Sequence, residues 1–246
     1  MNKPVLGILG GVGPLATALL MRMIIEKTPA RTDQEHIPMI VFNDPQIPDR
    51  TAHILDRTQP NPLPEMAKVA RWLQNAGADY IAIACNTAHF YYDGIAAAVS
   101  IPVLNIMEET VREVCDVSHG DVPDIRRVGL MATEGTVASG VFEAYFAERG
   151  VEVVAPGRAD QRLLNELIYG RVKANEPYDV NDLLFVARRL RGRGCDAVVV
   201  GCTELSVIHH DVPVNERSSW LHDSLDILAG RCVDVARRGT LLRTVQ

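Results

Sequence analysis

The chain predicts an α/β protein made of two similar parallel-sheet units. Three observations carry that prediction: a segment that occurs twice, an unbroken alternation of strand-like and helix-like patterns, and apolar runs that end in a thiol. The repeat is the strongest of these. Val69, Ala70, Arg71, Leu73, Gly77, Asp79 and Cys85 recur as Val186, Ala187, Arg188, Leu190, Gly194, Asp196 and Cys202, every pair 117 positions apart. Seven identities over the seventeen positions 69–85 compare with about one expected from ordinary residue frequencies. Each copy reads as an amphipathic helix, a glycine turn and a run too apolar for a solvated edge strand, which is the pattern of a buried parallel strand.

The elements follow in order. Residues 5–9 predict the first strand, and Gly10-Gly11-Val12-Gly13-Pro14 turns it into a helix over 16–27, with Pro14 suited to the first helical turn. Residues 39–42 predict the second strand. The polar loop 43–51 follows, and its prolines restrict the backbone that presents Arg50. The first copy of the repeat then ends in Cys85. After Pro102-Val103-Leu104 and a helix over 108–117, the chain restarts at Arg127-Val128-Gly129-Leu130-Met131, a strand that answers Gly7-Ile8-Leu9. Helices over 137–149, 159–171 and 179–191 precede the second copy, which ends in Cys202. Leu221, Leu225 and Leu228 stand at near-helical spacing and predict a last helix returning to the first unit. Domain one is then 1–112 plus 209–246, and domain two is 113–208.

Composition narrows the function. A length of 246 residues at 47% hydrophobic supports two such units. The net charge of −6, without a basic run or an aromatic-basic stripe, argues against a polyanion-binding surface, so the expected partner is a small molecule rather than nucleic acid. No apolar stretch approaches the roughly 18 residues of a membrane span, and the first residues lack the apolar region of a signal peptide. A soluble cytoplasmic protein without a membrane partner is expected. Five cysteines, an odd number with no Cys-x-x-Cys, suit a reducing compartment.

Ligands of parallel α/β sheets sit beyond the carboxyl ends of the strands, and both repeated cysteines stand at such an end. Each is followed by residues able to open a helix, whose N-terminus lowers a thiol pKa from about 8.5 toward neutrality. Facing halves would offer one thiol on each side of a cleft. The glycine turn admits a rival reading, because Gly11-Val12-Gly13-Pro14-Leu15-Ala16 fits a dinucleotide fingerprint. The acidic residue that fingerprint needs about 20 positions on is missing there, and Pro14 removes an N–H that a pyrophosphate would use. A tight turn whose amides approach a carboxylate is the other reading. Cys115, Cys195 and Cys232 lack a repeated context and read as core thiols. His89 either reaches the site or packs on Tyr92. His209, His210 and His222 have no zinc-like spacing, so no metal is expected.

Five motifs in order make the chain resemble the aspartate/glutamate racemase family of cofactor-independent amino acid racemases. They are Gly10-Gly11-Val12-Gly13-Pro14-x-Ala16-Thr17, Asn43-Asp44-Pro45-x-Ile47-Pro48-Asp49-Arg50-Thr51, Cys85-Asn86-Thr87-Ala88-His89, Ala132-Thr133-x-Gly135-Thr136 and Gly201-Cys202-Thr203-Glu204. The resemblance implies two α/β domains related by pseudo-twofold symmetry with the active site between them. It implies a homodimer, no cofactor, and Cys85 and Cys202 as bases on opposite faces of the substrate, Cys202 attacking the L- and Cys85 the D-enantiomer. It also places Arg50 and Lys173, the latter in Tyr169-Gly170-Arg171-Val172-Lys173, as receivers of a side-chain carboxylate. Val12, Asn86, Thr87, Thr133 and Thr203 complete the expected substrate-binding set. Glu204 stands where related glutamate racemases carry histidine. An accessory proton or orientation role is one reading of it, and a helix N-terminal carboxylate is the simpler one. Near the end the chain departs from the family pattern: Val212-Pro213-Val214-Asn215-Glu216-Arg217-Ser218-Ser219-Trp220-Leu221-His222 is one residue longer and lacks an aspartate.

Two thiols answer a chemical need, because inverting a stereocentre takes a proton from one face and returns one to the other. Side-chain donors beside the cysteines, from Asn86, Thr87 and Thr203, would stabilise the carboxylate on which carbanion charge collects, each worth about 10²- to 10³-fold by analogy with oxyanion holes. The expected activity is racemisation of aspartate and/or glutamate. The alternatives are maleate isomerisation or hydantoin racemisation on the same scaffold, and a noncatalytic amino acid binder.

Overall fold

The computed structural model describes residues 3–116 and 125–238. Two wholly parallel sheets form its frame. The first contains β1 (Leu6–Gly10), β2 (Met39–Asn43) and β3 (Tyr80–Ile83) in the order β2-β1-β3. The second contains β4 (Arg127–Met131), β5 (Glu152–Val154), β6 (Ala197–Val200) and β7 (Leu221–Asp223) in the order β5-β4-β6-β7. Register repeats with the sequence: Gly7 pairs with Ile81 and Gly129 with Val198, positions 117 apart on the second strand of each pair. β1, β3 and β6 are buried at every residue, as their uninterrupted apolar composition requires of strands covered on both faces.

The helices cover these sheets. They are α1 (Pro14–Lys27), α2 (Arg50–Leu55), α3 (Leu63–Asn75), α4 (Tyr92–Ala96), α5 (Ile106–Cys115), α6 (Glu134–Ser139), α7 (Val141–Ala147), α8 (Arg158–Asn165), α9 (Val180–Gly192), α10 (Thr203–His210) and α11 (Ser224–Arg238). α3 and α9, the duplicated helices, pack through the same contact. Leu73 lies against Gly7 and Leu190 against Gly129, where a glycine Cβ would fall 3.3 and 2.8 Å from the leucine Cβ. One apolar cluster joins Leu9, Ile81 and Ile83 to Met66, Val69 and Leu73. A larger one runs from Leu6, Ile8 and Tyr80 through α1, α5 and α11 into the second sheet.

Several expected elements differ, each for a local reason. The helix expected over 137–149 is broken at Gly140, whose φ of +65° ends α6 and starts α7. The helix expected over 159–171 passes at Glu166 into a π-helical turn, Glu166–Val172. Leu221 belongs to β7 rather than to a helix, and β7 pairs with β6, so only α11 returns to the first unit, packing on α1 and α5. That return is pinned where the Tyr80 hydroxyl donates to the Cys232 carbonyl at 3.0 Å. Pro102-Val103-Leu104 supplies a single bridge, Val103 to Ile81. Arg50, expected in a loop, opens α2 behind the capping carboxylate of Asp49, which accepts from Ala52 N–H at 2.7 Å. Val117, the last residue of the helix expected over 108–117, lies outside the described residues. None of the described helices is long and apolar enough to cross a membrane.

Candidate active site

Cys85 and Cys202 each stand two residues beyond the end of a duplicated strand, after Ile83 and Val200, on the side where β1 and β4 also end. Both are buried, at 5% and 3% exposure. Around them the two halves are bonded together. Thr203 donates from Oγ1 to the Ala84 carbonyl at 3.3 Å. Asn86 Nδ2 donates to Ser224 Oγ at 2.9 Å, and that hydroxyl donates on to the Val200 carbonyl at 2.8 Å. A cluster of hydroxyls completes the seam: Thr87 lies 3.1 Å from Thr133 and 2.9 Å from Thr136, and Thr51 donates to Thr133 at 3.3 Å.

A cavity of about 540 Å³ opens beside this seam, lined among others by Gly13, Asp49, Arg50, Lys173, Asn175 and Glu204. Neither sulfur lines it. Each thiol sits behind a charged side chain that does. Arg50 lies close enough to Cys85 for their charges to interact, while its Nη1 donates to the Ile47 and Pro48 carbonyls at 3.2 and 3.0 Å. Burial alone would lower the guanidinium pKa, but the negative charges of Cys85, Asp49 and Glu204 outweigh it and hold the group above its ordinary value. On the other side the Cys202 thiol donates to Glu204 Oε2 at 3.1 Å. Burial pushes that thiol well above its usual range and the Glu204 carboxylate pushes it further, with Lys173 opposing. The acidifying effect expected of the α10 N-terminus is therefore overturned at Cys202, because burial, and after it a carboxylate of the same helix turn, outweigh the dipole.

The glycine turn is explained by the same surroundings. Gly11, at φ +81°, faces the Asp44 backbone with no room for a side chain, and a Cβ on Gly13, at φ +124°, would fall 2.5 Å from Glu204 Oε1. The turn accommodates protein groups. Val12, expected to bind substrate, is instead fully buried in the apolar cluster, and its neighbours Gly11 and Gly13 line the cavity.

Lys173 reaches the cavity because the π-helical turn before it adds a residue to the helical repeat: its N–H donates to the Ile168 carbonyl five positions back, at 3.0 Å. Its ammonium stands 3.8 Å from Asp49 Oδ2, 3.9 Å from Glu204 Oε1 and 4.6 Å from the centre of the Tyr169 ring. Three buried polar atoms near the thiols have no hydrogen-bond partner: Arg50 Nε, Asn86 Oδ1 and Glu204 Oε1. One donor of positive charge and two acceptors complement a carboxylate and an ammonium, the two groups every amino acid carries.

Sequence reasoning placed Cys85, Arg50, Asn86, Thr87, Thr133, Lys173, Cys202 and Thr203 in one region, and they do meet there. Their partners differ from expectation: Asn86 spends its amide on Ser224, and Thr87 and Thr133 spend hydroxyls on each other. Asp49, Tyr169, Thr136 and Ser224 were not foreseen, although Asp49, Thr136 and Tyr169 lie inside quoted stretches. His89 packs as a structural residue, its Nδ1 2.8 Å from the Cys85 carbonyl, its Nε2 accepting from Ile106 N–H at 3.2 Å and its ring stacked on Tyr92. No group of three or more His, Cys, Asp or Glu side chains among the described residues is arranged to hold a metal ion.

Two parallel-sheet halves that bring duplicated thiols, through charged neighbours, beside one cavity define the class: a two-domain α/β fold of the racemase type. The chain belongs to the Asp/Glu/hydantoin racemase family, whose model matches residues 9–229. It is 28% identical over 231 residues to the broad specificity amino-acid racemase RacX of Bacillus subtilis, covering 89% of this chain and 95% of that one. A glutamate racemase of Aquifex pyrophilus is 26% identical over 150 residues, 58% of this chain and 53% of the relative. Among solved structures, an aspartate racemase of Picrophilus torridus superposes with a TM-score of 0.79 at 26% identity, covering 95% of this chain and 94% of that one. The glutamate racemase of Francisella tularensis in complex with D-glutamate shares the fold, with a TM-score of 0.64 at 19% identity over 100% of this chain and 85% of that one. As a member of this family the protein is an amino acid racemase, an isomerase.

Proposed function

We propose that the racemase works without a cofactor by a two-base mechanism on Cys85 and Cys202, with aspartate and/or glutamate as substrate. One observation carries the reading: equivalent cysteines end the two duplicated strands, and each has a charged neighbour that lines the same cavity, Arg50 interacting electrostatically with Cys85 and Glu204 accepting a hydrogen bond from Cys202. A thiolate on one side removes the α-proton and the thiol on the other returns one to the opposite face. The reaction leaves the two sulfurs with exchanged protons. By the family pattern Cys202 serves the L- and Cys85 the D-substrate. The α-carbon is a weak acid, and each positioned acid or base supplies only about 10²- to 10⁴-fold. Charge developing on the substrate carboxylate therefore needs donors, and Arg50 Nε is one still unused. Asn86, Thr87, Thr133 and Thr203 hold the two halves together beside the cysteines, and Lys173 receives the distal carboxylate.

A wider substrate range has one observation in its favour. Lys173 and Arg50 are faced by Asp49 and Glu204, so the charges around the cavity balance instead of presenting a cationic pocket. A side chain without a carboxylate loses less there than in a purely cationic pocket. The similarity to a broad specificity racemase points the same way. The compartment we infer is the cytoplasm, supported by Cys85, Cys195, Cys202 and Cys232 standing without disulfides. A homodimer rests on the family resemblance.

The test is solvent exchange. Single enantiomers of an amino acid panel incubated in D₂O should lose the α-proton signal for the true substrates, with optical rotation decaying to zero. Cys85→Ser and Cys202→Ser should each abolish racemisation. Racemisation that survives both replacements would refute the two-thiol mechanism, and exchange confined to neutral amino acids would refute the acidic preference.

A further inference from the structure

The two thiols stand in the same place in their half-sites, yet their neighbours carry opposite charge. Cys85 lies in the field of the Arg50 guanidinium. Cys202 meets the carboxylate of Glu204, 3.1 Å from its sulfur. Glu204 is 4% exposed, and its carboxylate is held by the Cys202 thiol, by Thr203 Oγ1 at 3.4 Å and by the Lys173 ammonium at 3.9 Å. Its Oε1 has no hydrogen-bond partner and reaches the cavity beside Gly13. The groups that face Cys202 are thus Glu204 from its own helix and Lys173 and Tyr169 from the π-helical turn.

We propose that Glu204 is a catalytic residue that keeps the proton on Cys202 in the resting enzyme and returns it there after each turnover that uses it, so that the free enzyme rests one-sided, with Cys85 as the thiolate. This rests on the two-cysteine reading above. It assigns Glu204 a proton-holding role and makes the two half-reactions unequal.

The proton balance is simple. In the resting form Cys85 S⁻ removes the α-proton and Cys202 S–H delivers its own to the opposite face, leaving Cys85 S–H and Cys202 S⁻. The new thiolate now lies beside a carboxylate, an unfavourable like-charge pair in a buried site. Glu204, protonated through the cavity, passes that proton from Oε2 to Cys202, and Cys85 releases one to solvent. One proton enters and one leaves. The enantiomer that meets Cys85 first reacts with the resting form. The other must wait until the proton has moved from Cys202 to Cys85. Because the two enantiomers are equal in free energy, kcat/KM is the same in both directions, and the asymmetry appears in kcat and KM separately and in the thiols themselves.

The experiment is pH-dependent alkylation of the intact protein with iodoacetamide, each cysteine followed by peptide mass spectrometry. In the unmodified protein Cys85 should react with a lower midpoint pH than Cys202. In Glu204→Gln, which keeps size and hydrogen bonding but removes the charge, the Cys202 midpoint should fall by about one unit or more, a rate gain of about tenfold below it. The Cys85 midpoint should move much less. Glu204→Asp should restore part of the high Cys202 midpoint. Midpoints, unlike rates, do not depend on how freely the reagent reaches each buried thiol. A Cys202 midpoint at or below that of Cys85 in the unmodified protein overturns the proposal even if Glu204→Gln fails to fold, and so does a Cys202 midpoint unmoved by the substitution. No turnover is needed, so a protein inactive in the D₂O panel would sink the two-cysteine reading while leaving this measurement interpretable.

Discussion

Asp79 and Asp196 perform one task in the two halves. Asp79 Oδ2 accepts from the N–H of Val5 at 2.7 Å, and Asp196 Oδ2 accepts from the N–H groups of Arg126 and Arg127 at 2.8 and 2.9 Å. Each carboxylate ties the entry of a duplicated strand to the chain just before or at the start of the neighbouring strand that leads to the cavity. Charge-assisted bonds of this kind contribute about 1.5–3 kcal/mol when buried, and less where water competes. Asp79→Ala should cost about 1 kcal/mol and Asp196→Ala, losing two bonds, somewhat more. The sites lie on different sheets, so the double variant should show the sum, read from urea unfolding midpoints at constant slope.

The repeat made most of the frame legible. A seventeen-residue identity pattern fixes helix, turn and strand together, and the turn glycines Gly77 and Gly194 both adopt positive φ, +98° and +83°. What escaped was set by contacts distant in sequence. β5 is three residues long and half exposed, too short to show a period. The π-helical turn at Glu166–Val172 differs from an α-helix by one residue in the repeat, and apolar spacing does not resolve that. Leu221 fits a helical stripe with Leu225 and Leu228, but pairing with β6 takes it into a strand. In the site the thiols and cations were legible as types at motif positions. Their partners were not, because Ser224 reaches Asn86 across 138 positions and Glu204 acquires its meaning from the direction its carboxylate takes, toward a sulfur 3.1 Å away.

Gly13 is held at φ +124° with Glu204 where its side chain would be. Gly13→Ala should therefore cost stability through backbone strain, about 1–3 kcal/mol, and also displace Glu204 from Cys202. Gly77→Ala is the control, since Gly77 has positive φ but nothing within 4 Å of a new Cβ. Both variants should melt lower. Only Gly13→Ala should lose racemase activity by about tenfold or more, the effect of roughly 1.4 kcal/mol in transition-state free energy, when each is assayed well below its own melting temperature.

His89 links acidity to folding. Burial drives its pKa down from 6.5 to about 4, partly offset by bonds to the Cys85 and Leu104 carbonyls, so the folded protein keeps the ring neutral. An unfolded chain binds that proton from about pH 6.5 downward. Stability from this group is therefore complete above pH 6.5 and is lost as pH falls toward 4, amounting to about 3 kcal/mol over the window. His89→Gln should be less stable at neutral pH and show a shallower decline between pH 6.5 and 4, measured by urea titrations at a series of pH values. Parallel declines in the two proteins would refute the assignment.

Ser224 is fully buried and bridges Asn86 to the end of β6. Ser224→Ala leaves the Asn86 amide and the Val200 carbonyl without that hydroxyl, at a cost of about 1–3 kcal/mol for buried polar groups left unpaired. Asn86 should become freer to turn toward the cavity. The expected kinetic result is a larger loss in kcat than change in KM, because the proposed mechanism holds the substrate's distal end elsewhere, at Lys173. A variant as stable and as fast as the parent would show that water replaces the hydroxyl without consequence.

In the proposed reading, Lys173 is the residue on which a preference for acidic substrates turns. Its side chain is 26% exposed and its ammonium is already shared between Asp49 and Glu204. A distal substrate carboxylate must compete with both. Lys173→Met keeps an unbranched stem over Tyr169 while removing the charge, and should raise KM for aspartate or glutamate by about tenfold, the equivalent of 1.4 kcal/mol. Neutral amino acids should be affected far less. Asp49→Asn frees the ammonium from one competitor and should lower KM for the acidic substrates, while the amide oxygen of the replacement side chain still caps α2. Steady-state kinetics with an acidic and a size-matched neutral substrate, such as glutamate and glutamine, separates the two outcomes. Equal changes for both substrates would place Lys173 outside side-chain recognition and leave its ion pairs with Asp49 and Glu204 as its whole contribution.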